Sequence, residues 1–223
     1  MENIPNYISI VFALTTFLTV FLFYKAANNS KTVIVVLLTW LVVQGAVSLS
    51  GFYTVTNSFP PRFVLLPMPT MLFIIGLFIT RNGRVFLDSL NPKTLTILHI
   101  VRIPVELVLF WLFLNKTVPQ LMTFEGRNFD ILSGLSAPFI FYFGYVKKGI
   151  GKTGLLIWNF ICVALLFNVV FYAVFSAPFP FQKFAFDQPN IAVLYFPFVW
   201  LPCCVVPLVL LSHLAMIRQL VKI

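Results

Sequence analysis

Charged residues are scarce in this sequence: they make up 9% of its 223 residues, whereas a soluble domain carries about a quarter. Apolar residues make up 60%, and the mean hydropathy is +0.99. No polar stretch is long enough to fold as a separate soluble domain. We therefore expect an all-α integral membrane protein in which residues 1–223 form one transmembrane domain, in a plasma (inner) membrane, with the lipid bilayer as its first partner.

Cysteine is also scarce, with three residues, and the motifs of several common sites are missing. Cys162, Cys203 and Cys204 all lie in apolar segments without a CxxC pair or an even-numbered framework, which indicates buried free thiols. The sequence lacks HExxH, GxSxG and a glycine-rich phosphate loop. No lysine lies inside an apolar segment, which argues against a retinal Schiff base. These absences leave open whether the chain is an enzyme.

Seven apolar segments of roughly 16 to 24 residues are present, close to the ~20 residues that a helix needs to cross a bilayer. The predicted spans are 7–24, 32–53, 63–80, 94–115, 131–146, 154–176 and 191–214. The stretch 81–92 is too short to cross, and it mixes charged with apolar residues. That mixture is typical of a helix lying in the membrane interface.

The basic residues that give the formal net charge of +9 occupy short loops between apolar segments. The loops of one side contain Lys25, Lys31, Arg81, Arg84, Lys93, Lys147, Lys148, Lys152, Arg218 and Lys222, and those of the other side contain Arg62, Lys116, Arg127 and Lys183. This placement indicates membrane orientation rather than nucleic-acid binding, so no nucleic-acid partner is expected. Because cytoplasmic loops are enriched in Lys and Arg, we expect the N-terminus outside and the C-terminus in the cytoplasm.

A weak internal repeat relates spans 2–3 to spans 6–7. Trp40 is followed by FYTV at 52–55, a proline-rich loop and a proline-containing span, and Trp158 is followed by FYAV at 171–174 and the same two features. The pattern favours parallel three-helix halves joined by span 4 (a 3+1+3 pseudo-repeat), as in some transporters. Because the chain contains 27 Phe and 7 Tyr, a chance match is the alternative.

Span 4 carries three ionisable residues on one face. His99, Arg102 and Glu106 fall within a sector of about 60°, at about 100° per residue. Charged groups at membrane depth are costly and usually face a bundle interior or a wet cavity, so this face predicts a substrate or proton pathway. The alternative is that Arg102 and Glu106, four residues apart, neutralise each other in an inert helix. Pro104 removes one backbone hydrogen bond and is expected to kink the helix just before Arg102.

The second histidine, His213, is expected at the same depth as His99. Helix rise puts His213 about 7 Å before Arg218 and His99 about 9 Å beyond Lys93, and both basic residues are predicted to be cytoplasmic. Two histidines at one depth are a requirement for a bis-histidine haem b or a shared metal ion. Lone histidines on helices are more often hydrogen-bonded packing residues, so no cofactor is expected and haem is the alternative.

Proline recurs every five residues in span 7, at Pro197, Pro202 and Pro207. Each proline lacks the N–H that would bind the carbonyl four residues earlier. Interrupted helices of this kind line transporter binding sites, so these residues and Pro104 are predicted hinges. A kinked but well-packed helix is the alternative.

Polar side chains elsewhere extend the candidate site. Three amides lie inside predicted spans: Gln44, Asn159 and Asn168. They are predicted either to join helices by hydrogen bonds or to extend the pathway. The loop before span 5 contains Glu125, Arg127 and Asp130. These residues are predicted either as an outer entrance that selects charged solutes or as a turn in which Asp130 caps span 5.

Two classes of function follow from these features. The first is a small carrier or channel that moves a small solute, ion or protons along the polar face of span 4, with spans 3 and 7 interrupted by proline. The second is a membrane redox protein that holds one haem or metal through His99 and His213. A membrane-embedded sensor or lipid-modifying enzyme is a third, because the aromatic loop FPFQKFAF is suited to contact lipid.

Overall fold

The computed structural model describes residues 4–58 and 60–222, and over these residues it consists of helices and connecting turns without a strand. Residues 1–3, 59 and 223 of the predicted domain lie outside that range. The α-helices are α1 (Asn6–Ala26), α2 (Lys31–Leu49), α3 (Met68–Ile79), α4 (Arg81–Ser89), α5 (Pro92–Leu98), α6 (Arg102–Leu114), α7 (Ile131–Phe141), α8 (Lys152–Phe175) and α9 (Val206–Val221). 3₁₀ turns precede α3 (Arg62–Leu65) and join α5 to α6 (His99–Val101), and π turns follow α7 (Tyr142–Val146) and precede α9 (Leu201–Val205).

Within the described residues, six helical segments are long and apolar enough to cross a membrane, by length and composition. They are Asn6–Ala26, Lys31–Leu49, Arg62–Ile79, Pro92–Leu114, Lys152–Phe175 and Leu201–Val221, and Ile131–Val146 is a shorter apolar helix. Large apolar side chains cover the outer surface, among them Val42, Ile79 and Phe160, which are 70%, 70% and 57% exposed. Soluble monomers rarely expose broad apolar surfaces, so the fold agrees with the predicted all-helical integral membrane protein.

The last helical segment begins later than predicted. The sequence predicts a span over 191–214, whereas the helix occupies Leu201–Val221 and is preceded by a 3₁₀ turn at Ala192–Leu194 and a cis Phe196–Pro197 bond. Pro197 has no N–H, and proline disfavours helical backbone in the residue before it. The predicted start of span 7 was therefore wrong, because apolar composition continues through a stretch that is not a continuous helix.

The two FYxV motifs of the predicted repeat have different local structures. α2 ends at Leu49, earlier than the predicted residue 53, and Gly51 follows in the left-handed conformation with a φ of 74°. Glycine adopts this conformation without a Cβ clash, so the helix terminates there and Phe52–Thr54 forms a separate 3₁₀ turn. The second motif, at 171–174, lies inside α8. This pair of motifs does not support the repeat.

The short helix α4 joins the ends of α1 and α9. It forms within the stretch 81–92 that the sequence predicts as too short to cross the membrane, and Thr80 caps it through a hydrogen bond from the Gly83 N–H. Asp88 accepts hydrogen bonds from Arg218 Nε and Nη2 at 2.8 and 3.1 Å and also pairs with Lys222. The N–H of Asn91 donates to the Ala26 carbonyl at the end of α1. These contacts gather several helix ends at one end of the molecule.

The centre of the bundle is formed by α5, α6 and α9. α1 packs along both α5 and α6, α7 packs on α6 and on the turn before it, and α9 packs between α5 and α8. By contrast, α3 packs chiefly on α4, α9 and the π turn before α9, and it buries few of its own side chains. Apolar cavities of about 250 and 200 Å³ lie on its two sides. The polar residues of the centre lie beside the smaller cavity.

Candidate functional site

The predicted polar face is buried at the junction of α5 and α6. His99, Arg102 and Glu106 are 0%, 2% and 1% exposed. The 3₁₀ turn His99–Val101 interrupts the α-helix just before Arg102, and Pro104 is the third residue of α6. Its missing N–H falls in the first turn of a helix, where N–H groups have no intrahelical partner. The interruption therefore lets Pro104 sit in the segment without leaving a broken bond inside α6.

Arg102 is paired with Asp130, which immediately precedes α7. Arg102 Nη1 lies 2.7 Å from Asp130 Oδ1 and 3.4 Å from the Cys162 carbonyl oxygen. The sequence placed Asp130 either at an outer entrance or as the cap of span 5. The structure puts it at the N-cap position of α7, where it is 4% exposed and makes no side-chain cap hydrogen bond, because its carboxylate bonds Arg102. The predicted pairing of Arg102 with Glu106 is wrong, because α7 brings a carboxylate from another helix to the guanidinium.

A close approach of α7 to α6 makes the ion pair possible. Gly134 lies one turn after Asp130, and a Cβ added there would be 2.9 Å from Ile103 Cγ1 and 3.3 Å from Arg102 Cβ. These distances are shorter than ordinary van der Waals contacts. Small residues at helix interfaces in membranes allow the backbones to approach in this way. Gly134 therefore positions the start of α7, and with it Asp130, against Arg102.

A chain of hydrogen bonds continues from Arg102 into α8 and α9. Arg102 Nη2 lies 3.0 Å from His213 Nε2, and His213 Nδ1 lies 2.8 Å from Asn159 Oδ1. Because arginine can only donate, Nε2 is the acceptor and Nδ1 carries the proton that is donated to Asn159. Asn159 Nδ2 donates in turn to the Leu155 carbonyl oxygen at 2.8 Å, which fixes the orientation of the amide. The chain therefore assigns the neutral Nδ1–H tautomer to His213.

Glu106 is held by Asn128 rather than by Arg102. Asn128 Nδ2 lies 2.7 Å from each Glu106 carboxylate oxygen and 3.0 Å from the Met122 carbonyl oxygen. The Asn128 Oδ1 accepts the backbone N–H of Asp130 at 2.9 Å, so the Nδ2 must face Glu106. One of its two N–H bonds is directed at Met122, and the other is shared between both carboxylate oxygens. We call Arg102, Glu106, Asn128, Asp130, Asn159 and His213 the Arg102 cluster.

His99 stacks on the Arg102 cluster without a hydrogen bond from its ring. Its ring lies parallel to that of His213, with centroids 3.8 Å apart and planes 10° apart, and it meets the Trp158 ring edge-on. Neither His99 nitrogen has a partner among the described residues, and the same is true of Arg102 Nε and Ser133 Oγ. Buried polar atoms of this kind are commonly satisfied by internal water.

The histidines as arranged do not fit a bis-histidine haem. Such a haem requires ring nitrogens that point at one iron from opposite sides, whereas His99 and His213 lie face to face. Both His213 nitrogens are also occupied, by Arg102 and Asn159. Within residues 4–58 and 60–222, no three His, Cys, Asp or Glu side chains are grouped as metal ligands.

The smaller apolar cavity reaches the acidic side of the Arg102 cluster. It has a volume of about 200 Å³ and is lined by side chains of α3, α6, α8, the Leu201–Val205 turn and α9. Its polar lining residues are Glu106, Asp130 and Asn190. Nearly all other lining side chains are aliphatic or aromatic, such as Phe63, Leu109 and others. We call this space the Glu106 cavity.

The other predicted outer residues lie in a separate polar pocket. Glu125 and Arg127 line a pocket of about 460 Å³ together with Gln120 and Asp187. Arg127 Nη1 donates to the Tyr172 hydroxyl at 3.0 Å. This pocket lies at the loops that connect α6 to α7 and α8 to the last segment. Its polar lining suits contact with water and charged solutes.

Two of the three predicted amides lie outside the Arg102 cluster. Tyr53 donates its hydroxyl to Gln44 Oε1 at 2.6 Å, which joins the turn after α2 to α2 itself. Asn168 Nδ2 donates to the Arg127 carbonyl oxygen at 2.6 Å near the outer pocket. Each of these two amides thus bonds a turn or loop and not a member of the Arg102 cluster. Asn159 is the amide of the three that binds within the cluster.

The prolines of the last segment have different environments. Pro197 precedes the helix, and Pro202 is the second residue of the Leu201–Val205 turn. Pro207 has no N–H to offer the Cys203 carbonyl four residues earlier, and that carbonyl instead accepts the Trp40 indole N–H at 2.9 Å. At this position a freed carbonyl joins two helices. Pro197 was predicted as a hinge within a helix, but no helix continues through this residue.

Several residues of the site were not singled out from the sequence. Asn128 and Asn190 lie in loops, and Cys162 and Ser133 contribute to the Arg102 environment from α8 and α7. The order Asn128–Phe129–Asp130 just before an apolar segment was the available signal, since two short polar side chains two residues apart can bind each other's backbone. Nothing in the pattern around Asn190 distinguishes it from an ordinary turn residue.

Comparisons with known proteins do not name a relative. No family model, no curated protein and no solved structure matches the chain. A functional assignment therefore rests on the geometry of the Arg102 cluster and the Glu106 cavity.

Proposed function

We propose that the protein is a small membrane carrier in which Glu106 binds and releases a proton or a small cation. The observation that carries this proposal is a charge imbalance inside the Arg102 cluster. Two carboxylates, Glu106 and Asp130, accompany one guanidinium, and Asp130 already occupies it. A charged Glu106 would have only one shared N–H of Asn128, and buried charges without compensation are costly. A proton or a cation supplies the missing compensation.

A row of polar groups offers a route between Glu106 and one end of the bundle. Thr96, His99, Arg102 and Glu106 follow one another at spacings of three, three and four residues, which keeps them on neighbouring positions of one face. Their ten-residue separation corresponds to about 15 Å of helix, roughly half of a hydrocarbon core. Thr96 Oγ1 lies 3.4 Å from the Tyr145 hydroxyl at the end of Ile131–Val146. Water bonded to the unpartnered His99 and Arg102 nitrogens would complete a proton path.

The topology that goes with this function has seven spans, with the N-terminus outside, in the plasma (inner) membrane. Two observations support it. Ile131–Val146 is apolar enough to serve as the fifth span, although it is shorter than the ~20 residues usually required. The Asp88–Arg218 and Asn91–Ala26 contacts also bring together helix ends that carry the basic loops assigned to the cytoplasm.

Flux through reconstituted vesicles tests the proposal. A potassium diffusion potential, negative inside, would drive protons, followed by a trapped pH dye, or radiolabelled guanidinium, which is small and stays charged. We expect flux of at least one of these cations above protein-free vesicles. Glu106→Gln should reduce it to background, because the amide cannot carry the negative charge. The matched control is Glu125→Gln, which removes a carboxylate from the outer polar pocket and should retain flux.

Two results would overturn the proposal. One is the absence of both fluxes in correctly folded wild-type protein. The other is unchanged flux through a Glu106→Gln variant whose thermal unfolding matches that of wild type. The stacked rings of His99 and His213 argue against the redox alternative, because they do not present their nitrogens to a common ligand position.

A further inference from the structure

The Glu106 cavity lies between two helices that do not pack closely on each other. α3 packs chiefly on α4, α9 and the turn before α9, whereas α8 packs chiefly on α9. Met71 of α3 and Val170 of α8 both line the cavity, so it occupies the space between these helices. Phe167 also lines it and is 58% exposed on the outer surface of α8. The cavity is therefore continuous with the surface that faces the bilayer.

The depth of the cavity decides which molecule can meet this opening. Phe167 lies near the middle of the membrane-crossing helix Lys152–Phe175, and Val105, another lining residue, lies near the middle of Pro92–Leu114. Helices of this length cross a hydrocarbon core of about 30 Å, so both residues are far from the headgroup regions. A lipid acyl chain, and not a headgroup or a dissolved solute, is the molecule present at this depth.

The wall of the cavity suits hydrocarbon. Its surface is almost entirely apolar, although Glu106 and Asp130 border it. An empty apolar space is costly because the atoms that line it lack contact partners, and water gains few hydrogen bonds there. A cavity of about 150 Å³ holds benzene, so about 200 Å³ accommodates a chain segment of roughly eight carbon atoms. An acyl chain that enters from the bilayer therefore fills the space without leaving a polar group unpaired.

We infer that an acyl chain of a membrane lipid occupies the Glu106 cavity, entering between α3 and α8 and reaching Val105 and Leu109 of α6. The chain packs on aliphatic and aromatic side chains and forms no hydrogen bond. Asn128 therefore remains the hydrogen-bonding partner of Glu106 when the chain is bound. The site does not rest on the proposed function, because it requires neither a charge on Glu106 nor transport.

Photolabelling of the full chain in phosphatidylcholine vesicles tests the inference. The probe is a phosphatidylcholine with a diazirine near the end of one acyl chain, and the matched probe carries the diazirine on its headgroup. Irradiation expels N₂, the resulting carbene inserts into a nearby C–H bond, and mass spectrometry of peptides locates the adducts. Val105 and Leu109 are 8% and 3% exposed, whereas Phe160 is 57% exposed. We expect the acyl probe to label all three residues and the headgroup probe to label neither residue of α6.

A cavity-filling variant and a matched control locate the chain. Val170→Phe adds a ring at a lining position of α8. Ile161→Phe adds one on the outer surface of the same helix, where Ile161 is 55% exposed and is not among the described lining residues. In proteins whose thermal unfolding matches that of wild type, Val170→Phe should abolish labelling of Val105 and Leu109 but not of lipid-facing residues. Ile161→Phe should leave the labelling of Val105 and Leu109 unchanged.

Three outcomes overturn the inference. Two need wild type alone and so do not depend on the folding of a variant: acyl-probe adducts confined to lipid-facing residues, and equal labelling of Val105 and Leu109 by both probes. The third is undiminished labelling of these residues in folded Val170→Phe. Labelling as expected in a protein without flux supports the inference and leaves the carrier proposal overturned. Flux without labelling of Val105 and Leu109 overturns the inference while the carrier proposal stands.

Discussion

Arg102 binds Asp130 across two helices, with 2.7 Å between Nη1 and Oδ1, although Glu106 lies only one turn away on its own helix. The pairing leaves Glu106 with Asn128 as its hydrogen-bonding partner. Asp130 is thus the carboxylate that pairs with Arg102, and the Glu106 carboxyl group lies beside the cavity without a basic partner at hydrogen-bond distance.

The ion pair predicts a strong effect of removing its carboxylate. Asp130→Asn keeps the shape of the side chain but leaves the Arg102 charge buried without its partner. We expect a loss of about 3–5 kcal/mol in the free energy of unfolding, measured in detergent by denaturant titration. Asp187→Asn, at an exposed acidic residue, is the control and should change stability little. Equal stability of the two variants would show that the ion pair does not hold α7 against α6.

A side chain added at Gly134 should destabilise the packing of α7 on α6, and the same change at Gly76 serves as the control. Gly134→Ala places a methyl group 2.9 Å from Ile103 Cγ1, whereas Gly76→Ala places one where no other atom lies within 4 Å. Both substitutions favour the helix by a similar amount, so their difference reports packing. We expect Gly134→Ala to be less stable than Gly76→Ala by about 1–3 kcal/mol in thermal or denaturant unfolding. A smaller gap would mean that α6 and α7 adjust freely.

Helical segments and the alignment of residues along the bundle were predictable from this sequence, because both follow from apolar runs and helix rise. The amphipathic α4 and the neighbouring positions of His99 and His213 are examples. The partner of Arg102 was not predictable, since Asp130 is 28 residues away and reaches it through the close packing at Gly134. The non-helical chain around Pro197 could not be predicted from composition either, because that stretch is as apolar as the helix that follows it.

Replacing Trp40 tests whether the Cys203 carbonyl, which Pro207 leaves without a helical N–H, joins two helices. Trp40→Phe removes the N–H that binds the Cys203 carbonyl oxygen at 2.9 Å. Hydrogen bonds between membrane helices contribute about 0.6 kcal/mol on average and up to about 1.7 kcal/mol, so we expect a loss of this order in unfolding free energy. Trp111→Phe is the control, because the Trp111 indole donates to no described residue. A loss equal to that of the control would assign the effect to ring size alone.

The contact between α4 and α9 predicts a dependence of stability on acid. Hydrogen bonds from Arg218 and Lys222 hold the pKa of Asp88 below its ordinary value of 3.8. A carboxyl whose folded-state pKa is lowered contributes stability above its unfolded pKa, and that contribution is lost as pH falls through the folded pKa. The pair lies near the surface, so we expect about 1 kcal/mol or less, reduced further by salt.

Thermal unfolding of wild type and Asp88→Asn from neutral pH to below pH ~4 measures this contribution. The variant should start less stable and should lose less stability on acidification than wild type. Parallel curves for the two proteins would show that Asp88 does not stabilise the junction of α4 and α9.

The central claim is that a proton and a cation compete for Glu106, and proton release on cation binding measures this most directly. Guanidinium would be added to detergent-solubilised protein in weakly buffered solution, with the pH change recorded beside the heat of binding. The account predicts release of up to about one proton per guanidinium bound by wild type, and none by Glu106→Gln. Guanidinium binding without proton release, or equal release by Glu106→Gln, would contradict it.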